Sequence, residues 1–182
     1  MKFKTLVIFS IFSILFFAGC DSKGEKKEDN SSLNDNQTIF TLNTIDNSTI
    51  EIDLKDNKLF LKDSDNKLIL VNFFATWCPA CKVKIPNLVD LQNDYQNDII
   101  VVGILLEDFK SNEEISKILS EFNINYTITN SPEGFDLAKA LGGLKAIPTI
   151  FLVDKDGTIF QKYVGIVPNE MLEIDIKKLL EK

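Results

Sequence analysis

Residues 68–81 read Leu-Ile-Leu-Val-Asn-Phe-Phe-Ala-Thr-Trp-Cys-Pro-Ala-Cys. Leu68 to Phe74 is a near-continuous apolar run of strand length, the pattern of a strand covered on both faces. A short link joins it to Cys78, and Pro79 stands where a helix would open, since the N–H that proline lacks has no intrahelical partner at the first position. The spacing therefore predicts a strand, a helix from Pro79 to about Tyr95, and a second buried strand from Ile99 to Leu106. Such a unit closes with a right-handed crossover between parallel strands.

Working outward, Thr38 to Leu42 and Thr49 to Ile52 alternate in polarity around the turn-prone Asp46-Asn47-Ser48 and predict an N-terminal hairpin. Asn112 to Phe122 predicts a helix with Ile115, Ile118, Leu119 and Phe122 on one stripe. A short strand near Tyr126 to Ile128 and a helix near Phe135 to Leu141 follow. Thr149 to Val153 and Thr158 to Val164 flank Asp156-Gly157, a strong hairpin signal. A last helix is expected from about Asn169 to Lys182. Glu107 and Asp108, after the second buried strand, read as a surface loop.

The two cysteines at the head of the helix carry the chemistry. Three residues apart, they share one helix face within disulfide range, and Cys78 lies where free backbone N–H groups and the helix dipole favour negative charge. That placement lowers a thiol pKa from about 8.5 into the range of roughly 3.5–7.5, which makes the sulfur nucleophilic at neutral pH. Cys78 is then the attacking thiolate and Cys81 the resolving thiol of an exchange through a mixed disulfide. Two other readings of the pair are a structural disulfide, which would close too short a loop to constrain the unfolded chain much, and half of a zinc site. The latter has no second cysteine pair and no histidine to complete four ligands.

Composition narrows the chemistry further. The chain has 182 residues, with 20 Lys+Arg against 27 Asp+Glu, and all its basic residues are lysines. Without a basic stripe or arginine forks, nucleic acid is not an expected partner. Histidine is absent, which removes imidazole bases and ligands.

The N-terminus has the form of an export signal. Lys2 and Lys4 precede an apolar run from Leu6 to Phe17, which is shorter than the roughly 20 residues that span a bilayer. It ends in Phe17-Ala18-Gly19-Cys20, which resembles a bacterial lipobox, with Phe17 in place of the usual leucine. An uncleaved anchor helix is the alternative. The resulting organisation is a signal peptide over 1–19, a lipidated polar tether over 20–37 with acylation at Cys20, and one folded domain over 38–182. Multiple acyl chains at Cys20 would hold the protein stably on a membrane. Asp21 resembles the residue that keeps some such lipoproteins in the inner membrane, so the expected location is extracytoplasmic and anchored, on the periplasmic face.

Phe73-Phe74-Ala75-Thr76-Trp77-Cys78-Pro79-Ala80-Cys81, Pro86 further along the helix, and Ile147-Pro148-Thr149 before a strand together resemble the thioredoxin superfamily, most of all its TlpA/ResA group. The similarity covers roughly Thr38 to Lys182. It implies an α/β thioredoxin-like fold, a central mixed sheet flanked by helices, with an N-terminal β-hairpin and an inserted strand-helix segment. It implies a thiol-disulfide oxidoreductase with no cofactor beyond its own disulfide. Ile147-Pro148 should be a cis peptide facing the cysteines, with the Ile147 backbone and Trp77 meeting substrate, and with Pro79 and Ala80 tuning the pair. Asn72 replaces the buried aspartate of thioredoxin. Lys84 stands where many of the group have a glutamate, and it is either a charge that tunes the pair or a solvated lysine.

The resemblance further implies reduction of exported protein disulfides, including those of apocytochrome c, fed by a membrane electron donor, and the single folded domain suggests a monomer. A disulfide-introducing oxidant is the nearest alternative, although Pro79-Ala80 lacks the histidine such oxidants often carry. A metallochaperone of the Sco type would need a wider cysteine spacing and a distant histidine, and a peroxiredoxin a Pro-x-x-x-Thr site. A non-enzymatic lipoprotein adaptor is the remaining reading from a different class.

Overall fold

A computed structural model describes residues 37–108 and 110–182. The expected signal peptide, Cys20 and the tether up to residue 36 lie outside the described residues. Gln37, expected at the end of the tether, instead opens the first strand, because its backbone pairs with Lys55 and its Nε2 donates to Asp53 Oδ2 at 2.6 Å.

The N-terminal part is a three-stranded antiparallel sheet of β1 (Gln37–Asn43), β2 (Thr49–Lys55) and β3 (Lys58–Leu61). The third strand extends the expected hairpin. Asp56 and Asn57 both take positive φ, 52° and 62°, which suits the tight turn that returns a strand on its neighbour. Leu59 and Leu61 then point inward while Phe60 points out.

The central sheet has the order β6-β5-β4-β7-β8. β4 (Leu68–Phe74) lies at its middle, parallel to β5 (Ile99–Leu105) and antiparallel to β7 (Thr149–Val153). β6 (Thr127–Thr129) runs parallel to β5 on one side, and β8 (Ile159–Val164) runs antiparallel to β7 on the other. Every residue of β4 is buried, as its unbroken apolar run requires.

Helix α1 (Pro79–Asp94) follows β4, and α2 (Asn112–Leu119), α3 (Glu133–Ala140) and α4 (Asn169–Leu180) complete the fold. Ser111 and Glu114 form a reciprocal capping box at the start of α2. α2 is shorter than its apolar stripe suggests. It tightens into a 3₁₀ turn over Ser120–Phe122 and stops at Asn123, whose left-handed backbone (φ 49°) ends the helix. Among the described residues no helix is long and apolar enough to cross a membrane.

Alternation along β4 divides the core into two layers. Ile69, Val71 and Phe73 pack with Phe40, Leu42, Ile52 and Leu59 of the small sheet and Leu137 of α3. Leu68 and Leu70 pack with Leu88 and Leu91 of α1 and Leu172, Ile176 and Leu179 of α4. Phe74 joins a third cluster that contains Cys78, Cys81 and Ile85 together with Ile115 and Leu119 of α2. The small sheet is stitched to the large one at two points, Ile45 N–H to Ile128 O at 3.0 Å and Leu59 N–H to Gly157 O at 2.8 Å.

The second stitch depends on Gly157. It sits at φ +83°, and a Cβ there would lie 2.6 Å from two ring carbons of Phe60. Gly157→Ala is expected to lower stability by about 1–3 kcal/mol through backbone strain and this clash. The check is the midpoint of chemical denaturation, with the redox equilibrium of the cysteine pair unchanged.

Candidate active site

β4 ends at Phe74, and the chain turns through Ala75-Thr76-Trp77 so that Cys78 becomes the N-cap of α1. Cys78 has extended backbone (φ −86°, ψ 112°), and its Sγ accepts the N–H of Cys81 at 3.2 Å, satisfying one of the free donors of the first turn. Pro79 occupies the first helical position and is exposed, while Ala80 packs partly into the cluster around the cysteines. Cys78 and Cys81 are joined as a disulfide, their Cα atoms 5.3 Å apart. Of the two, Cys78 is the one that reaches solvent, 5% exposed against 1% for Cys81.

The distant Ile147-Pro148-Thr149 segment comes to the same place. The Ile147–Pro148 peptide is cis, and the Ile147 carbonyl oxygen lies 3.8 Å from Cys78 Sγ. Pro148 is buried, and its carbonyl accepts the N–H of Gly165 at 2.8 Å. Thr149 Oγ1 donates to Ala146 O at 2.6 Å, closing the loop on its other side. Trp77 is not packed against the core strand. It is 65% exposed beside Cys78, and Ile166, just beyond Gly165, is exposed as well.

Two charged residues stand differently from their sequence reading. Lys84 is not solvated: it is 0% exposed, with Nζ donating to Asn169 Oδ1 at 2.7 Å and to Val167 O at 3.3 Å. Burial pushes its ammonium below the ordinary lysine range, and the charge of Glu170 partly opposes this. Glu107 does not belong to a plain surface loop either. Its side chain is 3% exposed and paired with Lys110, and its carboxylate accepts the Thr76 N–H at 2.7 Å and the Thr76 hydroxyl at 2.7 and 2.8 Å. Asp108, next to it, is exposed as expected.

Glu107 is thus a site residue that sequence reasoning missed. The one available signal was its place at the carboxyl end of a central strand, where loops of α/β sheets gather around ligands. Asn72 is buried on β4, and its side-chain oxygen has no hydrogen-bond partner among the described residues. Its amide does not titrate, so it cannot exchange a proton with the thiols as a carboxyl would. Among the described residues no cluster of carboxylate, thiol or imidazole groups could hold a metal ion.

The arrangement pairs two sulfurs with an exposed aromatic and an open backbone carbonyl, which suits exchange with a disulfide in an extended chain. The Redoxin family model matches residues 37–180. The chain is 28% identical over 127 residues to the thiol-disulfide oxidoreductase ResA of Bacillus thuringiensis subsp. konkukian, a match covering 70% of this chain and 72% of ResA. Two solved structures share the fold. One is a putative thiol:disulfide interchange protein DsbE from Chlorobium tepidum, with TM-score 0.63 and 24% identity over 80% of this chain and 96% of that one. The other is the exposed lipoprotein thioredoxin of Streptococcus pneumoniae, with TM-score 0.61 and 19% identity over 78% of this chain and all (100%) of that one.

The Glu107 clamp should be measurable in stability. Glu107→Ala leaves the buried Thr76 N–H without an acceptor, at an expected cost of about 1–3 kcal/mol. Glu107→Gln keeps a carbonyl oxygen and should lose distinctly less. Urea denaturation of the two oxidised variants checks the difference, and equal losses would show that the clamp to Thr76 is not what Glu107 contributes.

Proposed function

The chain belongs to the Redoxin family as a TlpA/ResA-like thiol-disulfide oxidoreductase, and from that premise we propose that it works as a reductase of disulfides in exported proteins. Cys78 is the nucleophile. The observation that carries the reading is its sulfur capping α1 beside the Ile147 carbonyl, on the less deeply buried residue of the pair. Trp77 and the Ile147 backbone receive an extended substrate segment, and Pro148 holds that carbonyl in place.

In the cycle, the Cys78 thiolate attacks one sulfur of the substrate disulfide. The S–S bond breaks, and the other substrate sulfur leaves as a thiolate that takes a proton from solvent. Cys81 then loses its proton and attacks the Cys78 sulfur, releasing the second substrate thiol and leaving the Cys78–Cys81 disulfide. Two electrons and two protons from a membrane donor restore the dithiol. Pro79-Ala80 offers no histidine to stabilise the thiolate further, which favours a reductant over a strong oxidant. The disulfides of haem-attachment cysteines in apocytochrome c are among the substrates proposed, on the strength of the TlpA/ResA likeness.

We place the protein outside the cytoplasm on a lipid anchor at Cys20, with residues 20–36 as the tether. The support is the Lys-rich start, the short apolar run and the Phe17-Ala18-Gly19-Cys20 ending. The pneumococcal fold-mate, itself an exposed lipoprotein, is an instance of this fold in that setting.

Equilibration of the purified protein with glutathione or dithiothreitol buffers tests the direction. A potential near the roughly −270 mV of thioredoxin is expected, and one near the roughly −120 mV of a strong periplasmic oxidant would reverse the assignment. Cys81→Ser should accumulate a mixed disulfide with a substrate peptide, whereas Cys78→Ser should form none. Accumulation in the Cys78 variant instead would exchange the two roles. For the anchor, Cys20→Ala should move the protein out of the membrane fraction, read by fractionation and blotting.

A further inference from the structure

Lys84 is a fully buried charged side chain for which the dithiol cycle has no task. It lies on α1 three residues after Cys81, on the same helix face, and both are buried. Its two hydrogen-bond partners, Asn169 Oδ1 and Val167 O, are neutral. They take two of the ammonium's three donors without cancelling its charge. Glu170 favours that charge from a distance and makes no ion pair with it among the described residues. A charge held out of water acts on its neighbours more strongly than one at the surface.

The segment that Lys84 grips is also informative. Val167 lies in the link between β8 and α4 and Asn169 opens α4, a few residues after Gly165, whose N–H holds the Pro148 carbonyl. Lys84 therefore joins the cysteine-bearing helix to the stretch that supports the cis-proline loop. On the reading that Cys78 and Cys81 are the redox centre, we infer that Lys84 is a positioning residue whose buried charge favours the reduced, thiolate-bearing pair and makes the protein a milder reductant than the same site with a neutral side chain.

The reaction that reads this is exchange with glutathione. Two glutathione thiols give two electrons and two protons to the pair. The Cys78–Cys81 bond breaks, and one S–S bond forms between the glutathiones. Where the thiolate is favoured, Cys78 then releases its proton to water. Lys84 gives up no proton in this scheme. Its positive charge lowers the free energy of the anionic product and leaves that of the neutral disulfide nearly unchanged.

Lys84→Met and Lys84→Gln separate charge from attachment, since both remove the charge and glutamine keeps a hydrogen-bond donor of similar length. The measurements are the equilibrium constant for reduction by glutathione at pH 7 and the pH dependence of Cys78 alkylation in the reduced protein. Both variants are expected to fall in that constant by about tenfold, equivalent to about 30 mV for a two-electron couple, with the alkylation profile moved to higher pH. A glutamine variant that keeps the wild-type constant and profile overturns the inference, whether or not the methionine variant changes or folds. Wild-type protein that does not exchange with glutathione at all would overturn the redox reading itself, and this inference with it.

Discussion

The contact between the Cys81 N–H, in the first turn of α1, and the sulfur of Cys78 is the constraint on which the site depends. It exists because β4 is buried on both faces and must end at Phe74, at the edge of the core. The chain then has only four residues, Ala75 to Cys78, in which to turn before Pro79 commits it to helix. Cys78 is left as the N-cap, a position usually held by a side-chain oxygen. A sulfur in that role is held by Cys81 N–H and faces the positive end of the helix. The same local rule that closes a helix end thereby places the sulfur where a negative charge is favoured.

Such a turn would be loose without support from outside α1. Glu107, at the end of the neighbouring parallel strand, holds Thr76 by both its backbone N–H and its hydroxyl. From the opposite side of β4, the loop before β7 brings the Ile147 carbonyl to Cys78 and is itself held by Gly165. The sheet order explains why these loops meet. β5 and β7 are the two neighbours of β4, one parallel and one antiparallel, so the loop after β5 and the loop before β7 lie at the same end as the cysteines.

The sequence discloses this framework where a signal is local or continuous. β4 is a seven-residue apolar run, α1 opens with proline, and Asp156-Gly157 marks the last hairpin, so each is visible from its own residues. What stayed hidden depends on distant partners. β3 has only four residues, and its alternation means something only beside β2. Phe122 completes an apolar stripe, yet the chain tightens into a 3₁₀ turn before reaching it and ends just after it, at a left-handed asparagine that a stripe cannot reveal. Glu107 lies 31 residues from Thr76, and Lys84 lies 83 and 85 residues from its acceptors. No spacing rule connects such positions, so a lysine read by polarity alone is placed in water.

The two charges near the cysteines are not equivalent, and the difference lies in how each is satisfied. Glu107 meets an N–H, a hydroxyl and the ammonium of Lys110, so its charge is largely compensated where it sits. Lys84 meets a carbonyl and an amide oxygen, which stabilise it in place but leave its field uncancelled. Asn72, buried on β4, adds a dipole and no charge. In the role inferred for Lys84, its charge adds to the positive end of the helix dipole at Cys78. In that role both would act in the same direction on the sulfurs, and in a chain with neither histidine nor arginine the bias would come from a lysine that the fold has taken out of solvent.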